Sequence, residues 1–99
     1  MKTDIQTVNF DASHALVQFI ESELIDLETE FDHIIGAEVY LRPGQSDEHS
    51  KIVKLKLNVP GPDLFAEYTS NSYESGLIEA IEKMRTQLYK ASKRNGRKH

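Results

Sequence analysis

The stretch "KIVKLKLNV", Lys51 to Val59, leaves this chain the least conformational freedom. Successive side chains of a β-strand leave opposite faces, so Val53, Leu55, Leu57 and Val59 point one way and Lys54, Lys56 and Asn58 the other. Such a strand has one dry face and one wet face, and it belongs in a sheet covered on one side only. "PGP" at 60–62 then forces a turn, because proline has no N–H to continue a ladder.

The flanking segments supply partners for that strand. "HIIGAEVYL", His33 to Leu41, sets Ile35, Ala37, Val39 and Leu41 on one face and Glu38 and Tyr40 on the other. "RPGQSDEHS", Arg42 to Ser50, is polar, contains Pro-Gly and reads as a hairpin loop. "LFAEYTS", Leu64 to Ser70, reads as a further strand, and "TDIQTVNF" as a short first strand with Ile5 facing inward, although Val8 breaks the alternation.

Two segments change period from two to 3.6. From Ala12 to about Thr29, Leu16, Phe19, Ile20, Leu24 and Leu27 recur at steps of three and four, Phe31 extends the series, and Asp11 is the expected N-cap. In the last third, Tyr73, Leu77, Ile81, Met84 and Leu88 form a second stripe, with Ser72 or Asn71 as cap and Glu74 in the first turn. Gly76 inside that helix costs up to about 1 kcal/mol against alanine, which close packing on the sheet would explain. The expected order is β-α-β-β-β-α: an α+β fold with a four-stranded sheet and both helices on one face. The other face, bearing Lys54, Lys56, Glu38 and Tyr40, stays wet.

A chain of 99 residues suits one domain, assigned here to 1–94 with a basic flexible tail at 95–99. It has no cysteine, which excludes disulfides, thiolate metal sites and thiol catalysis. "MKTDIQTVNF" lacks the apolar run of a signal peptide and nothing approaches a membrane span, so a cytoplasmic location and no membrane partner are expected. His14, His33, His49 and His99 show no metal-ligand spacing, and a zinc site needs three or four converging ligands. Asp32-His33 has no nucleophile elbow to serve. The scattered glycines make no phosphate loop. No catalytic residue, metal, cofactor or small-molecule substrate is therefore expected.

Charge is the informative quantity. Residues 1–50 hold eleven acids and two bases, a balance of −9; residues 51–99 hold five acids and ten bases, a balance of +5. The Debye length at physiological salt is about 8 Å, so a partner meets the local patch rather than the total of −4. The first helix offers Glu21, Glu23, Asp26, Glu28 and Glu30 with no lysine to pair with, a solvated face that nucleic acid should avoid. The last helix ends the other way: nothing after Glu82 is acidic, and seven bases follow from Lys83 onward. One or two of those suffice to complement the helix dipole. Lys83, Gln87, Lys90 and Arg94 fall at steps of three or four on a polar stripe opposite the core, and such a stripe is a phosphate-binding footprint.

The series "FDHIIGAEVYL", a polar hairpin, "KIVKLKLNVPGPDLFAE" and "SYESGLIEAIEKMRTQLYKASKR" resembles the ribosome hibernation-promoting factor and ribosome-associated inhibitor family, also called ribosomal subunit interface proteins. The likeness covers about residues 2–94. Its most specific pieces are "FDHI" after the first helix and "IEKMRTQL.K" in the last. The resemblance implies a fold like that of double-stranded RNA-binding domains. It also implies a translation inhibitor that occupies the messenger and transfer RNA channel of the small ribosomal subunit in stationary phase or stress, as a monomer in solution. Lys83, Gln87 and Lys90 match polar positions of the family's last helix, and Lys93 and Arg94 continue its basic end. These residues would contact ribosomal RNA phosphates, with Lys54 and Lys56 on the open sheet face as weaker contacts.

Two departures stand out. Members often carry an arginine directly before "QL"; here that position is Thr86, and Arg85 lies one step back, rotated by about 100°. Arg85 remains a candidate contact, on a different surface. The family's first helix usually carries some bases, whereas this one is acidic and would face solvent or a basic ribosomal-protein tail. Long members add a dimerising C-terminal domain, and this chain resembles the short class. The competing reading is a protein-interaction module of the same fold that does not bind ribosomes.

Overall fold

A computed structural model describes residues 1–45 and 50–96, with side chains described as far as residue 90. The elements are β1 (Lys2–Thr7), α1 (His14–Glu30), β2 (Gly36–Pro43), β3 (Lys51–Asn58), β4 (Leu64–Ser70) and α2 (Tyr73–Gly96). The four strands form one sheet in the order β1-β2-β3-β4. β1 and β2 are parallel, which requires a crossover, and α1 makes it. The other two pairs are antiparallel.

Register sorts the side chains as the alternation predicts. Val39 lies opposite Leu55, Leu55 opposite Ala66 and Leu41 opposite Val53, all buried. On the reverse face Glu38 meets Lys56 and Tyr40 meets Lys54. Ile20, Leu24 and Leu27 of α1 and Leu77, Met84 and Leu88 of α2 close one core over the apolar face. α2 lies against β3 and β4, with α1 beside it. Among the described residues no polar or charged side chain is buried, so the side-chain packing of this interior is apolar.

The helix starts show two different outcomes. The N-cap of α1 is Ser13, whose hydroxyl accepts from the Leu16 amide at 3.0 Å, and not Asp11. Asp11 lies two residues too early, because Phe10 is drawn into a parallel stack on Tyr73 at 4.8 Å and the chain must first leave that contact. At α2 the expected Ser72 does cap, accepting from the Ser75 amide at 3.1 Å. A Cβ on Gly76 would stand 2.8 Å from Val53 Cγ2, so the helix packs too closely on β3 for any side chain there.

Ile35 is also corrected: it is 61% exposed, and Ile34 is the buried residue, at 5%. β2 begins only at Gly36, so strand alternation does not extend back to Ile35. Its amide is used at the sheet end, donating to the Asn58 carbonyl at 2.8 Å. The tip of the expected hairpin loop, 46–49, lies outside the described residues. So do 97–99 of the expected tail and the side chains of Lys93 and Arg94.

Candidate nucleic-acid interface

Each residue of a helix turns about 100°, which places Lys83, Gln87 and Lys90 about 110° around α2 from the Leu77–Met84–Leu88 stripe. They occupy a flank of the helix and not the pole opposite the core, and Gln87 is accordingly half-buried. Lys83 and Lys90 are exposed. Neither makes an ion pair among the described residues, so no described carboxylate cancels their charge.

Arg85 and Tyr89 lie on the other flank, which faces α1. Arg85 Nε donates to Glu30 Oε1 at 2.8 Å, and Arg85 Nη1 donates to Glu82 on its own helix. The Tyr89 hydroxyl donates to Glu30 Oε2 at 2.6 Å, and the Tyr89 ring meets Phe31 edge-on at 5.0 Å. These contacts hold the Glu30 carboxyl below its ordinary value, the Tyr89 hydrogen bond contributing most and Arg85 next. The same contact raises the Tyr89 phenol. Sequence reading named Arg85 but not Glu30 as its partner. The two are 55 residues apart, and no local pattern joins them.

The open sheet face is largely self-neutralised. Lys56 lies 3.6 Å from Glu38 and 3.7 Å from Asp63, and its ammonium sits 5.7 Å from the Phe65 ring centre. Arg42 pairs with Glu67 at 3.7 Å. The Tyr40 hydroxyl donates to Glu38 at 2.6 Å, which raises that phenol. Lys54 is the exception, exposed and without an ion pair among the described residues. The structure thus separates the candidates that sequence grouped together. Lys83, Gln87 and Lys90 share one flank, Lys54 stands alone on the sheet, and Lys56 and Arg85 are engaged by carboxylates.

The Asp32–His33 pair does not assemble as a general base. Asp32 Oδ1 is 4.0 Å from His33 Nδ1, beyond hydrogen-bond reach, and the His33 ring meets Phe31 edge-on. Among the described residues no group of three or more His, Cys, Asp or Glu side chains could hold a metal ion. Nor is any described helix long and apolar enough to cross a membrane.

A family model described as Sigma 54 modulation protein / S30EA ribosomal protein matches residues 3–95. The chain belongs to this family. The likeness to ribosomal subunit interface proteins carried by "FDHI" and "IEKMRTQL" is borne out at that level. Among solved structures, a ribosomal subunit interface protein from Coxiella burnetii superposes with a TM-score of 0.82 at 23% identity, covering 93% of this chain and 98% of that one. The N-terminal domain of Thermus thermophilus Protein Y superposes with a TM-score of 0.77 at 18% identity, covering 89% and 96%. At these identities the two structures establish the shared fold. No curated protein sequence matches the chain.

Proposed function

We propose that this member of the family binds the small ribosomal subunit in the channel used by messenger and transfer RNA, and so holds translation off in stationary phase or stress. The observation that carries this reading is the open flank of α2, where Lys83 and Lys90 reach solvent on either side of Gln87 with no carboxylate partner among the described residues. Lys93 and Arg94 follow at the same helical spacing. Phosphate contacts of this kind position a protein without reading base sequence, which suits a partner recognised by the shape of its cleft.

Lys54 would add a contact from the sheet. Lys56 and Arg85 would reach phosphate only by releasing their carboxylates, which makes them the weaker members of the set. The reading requires occupancy of a site and no bond chemistry, no cofactor and no metal. It implies a monomer acting in the cytoplasm.

Sedimentation of purified small subunits through sucrose with the protein tests it. Wild type should co-sediment, and the log–log slope of affinity against salt should be roughly −3 to −4 for four or five RNA phosphate contacts. Joint replacement of Lys83, Lys90, Lys93 and Arg94 by alanine should abolish the association. Retention by a cationic protein with no ribosome association would favour the interaction-module reading instead.

A further inference from the structure

We propose that Glu30, Arg85 and Tyr89 form a positioning clasp that fixes the angle at which α2 presents Lys83, Gln87 and Lys90, and that Arg85 serves the clasp and not phosphate. This rests on the ribosome-binding reading above.

Three observations carry it. Glu30 is the last residue of α1 and grips α2 at two points one turn apart, one carboxylate oxygen on Arg85 and the other on Tyr89. Phe31 follows directly and is 6% exposed, so its contact with the Tyr89 ring anchors the clasp in the core. Among the described side chains Leu88 is the last of the buried α2 stripe, and Tyr89 is the last to tie the helix to the body. Beyond it α2 continues to Gly96, carrying Lys90, Lys93 and Arg94. A helix rises about 1.5 Å per residue, so Arg94 stands about 7–8 Å along the axis past Tyr89, and a small tilt there moves every later base. Phosphate contacts hold only over a few tenths of an ångström around about 2.8 Å, so the angle of this segment governs the fraction of molecules poised to form the whole set, and affinity falls with that fraction while the set keeps its size.

The clasp and simple electrostatics predict opposite signs for one substitution. Glu30→Gln removes a negative charge beside a basic helix. If charge alone mattered, RNA affinity would rise. If Glu30 positions the helix, affinity falls. Tyr89→Phe is the cleaner companion, because it keeps the ring on Phe31 and the net charge and removes only the hydroxyl donor. Arg85→Gln tests the remaining partner, since loss of a phosphate contact lowers the salt slope by about 0.7 and loss of a positioning contact leaves it unchanged.

The experiment measures small-subunit affinity across a salt series for wild type, Glu30→Gln, Tyr89→Phe and Arg85→Gln, with amide hydrogen exchange on each free protein. The clasp predicts weakening of about 3- to 10-fold for Tyr89→Phe, the worth of one hydrogen bond. It predicts weakening also for Glu30→Gln and unchanged slopes for all three. Exchange should quicken at Thr86 to Lys90 and stay unchanged at Leu77 to Ile81, which also shows that the variants are folded. Wild type that binds while Tyr89→Phe binds equally well, or Glu30→Gln binds more tightly, overturns the clasp alone. A slope reduced by about 0.7 in Arg85→Gln does the same and returns Arg85 to the phosphate contacts. Wild type that does not bind small subunits overturns the ribosome reading and this inference with it.

Discussion

The two flanks of α2 are made of similar material and arranged for different ends. Towards α1, Arg85 and Tyr89 direct their donors at Glu30 and Glu82, and the aromatic ring closes on Phe31. On the other flank Lys83 and Lys90 point into solvent with no carboxylate partner among the described residues. A cation 3 Å from a carboxylate presents little net field to a third body beyond a Debye length of about 8 Å. An unpaired one presents all of its charge. Counting bases along the helix therefore overstates its usable charge on one side and describes it correctly on the other. The open sheet face repeats the contrast in miniature, with Lys56 held by Glu38 and Asp63 and Lys54 without an ion pair among the described residues.

The largest effect comes from removing the support that both flanks share. Leu88 is 1% exposed and sits on the core stripe between them. Leu88→Ala should cost about 2–5 kcal/mol, read from the urea midpoint, and should impair small-subunit binding and α1–α2 packing together. A variant of full stability with lost binding would show that the flanks do not depend on this core.

Charge reversal separates the flanks next. Lys83→Glu with Lys90→Glu should lower small-subunit affinity by about 100-fold or more. Stability should stay within about 0.5 kcal/mol, because both residues are exposed and neither is paired among the described residues. Arg85→Glu should lower the urea midpoint, from three carboxylates brought together, and weaken binding less than the double reversal does. Equal effects of the two reversals on both measurements would erase the distinction between the flanks.

Much of this was legible in the sequence, and the parts that were not have physical causes. The alternation of "KIVKLKLNV" and the 3.6-residue stripes reflect burial, a demand each element places on its own residues, and they located the core, the strand faces and both helices. Gly76 was legible in the same way, since a helix tolerates the cost of glycine only where something approaches closely, and Val53 does. The failures came at element ends. Ile35 precedes the first residue of β2, where alternation no longer applies, and the cap of α1 moved from Asp11 to Ser13 because of a stack with Tyr73 that is distant in sequence. The pairing state of each base was the least legible feature. Whether Arg85 or Lys83 is free depends on where the end of α1 lies, and the fold decides that, not the spacing of bases along α2.

The smallest expected effect tests the α1 flank from both ends of the pH scale. The Glu30 carboxyl is depressed from its ordinary value of 4.5, first by the Tyr89 hydroxyl and then by Arg85. A depressed carboxyl contributes stability that is present above its unfolded value and is lost as pH falls through the lower folded value. The wild type should therefore lose part of its α1–α2 contact only below about pH 4.5. The Tyr89 phenol is raised from 10.0, chiefly by its hydrogen bond to Glu30, so its contribution is present below that value and is lost as pH rises through the higher folded one. One contact is thus weakened in acid by protonation of its acceptor and in alkali by ionisation of its donor. Tyr89→Phe lacks that hydrogen bond at every pH. The difference in urea midpoint between wild type and Tyr89→Phe should therefore be greatest near neutrality and narrow towards pH 3 and pH 11. A difference that stays constant across that range would mean that the Tyr89 hydroxyl and Glu30 do not act on each other. Tyr89 would then contribute to the α1 flank through its ring on Phe31 alone, beside the Arg85–Glu30 pair.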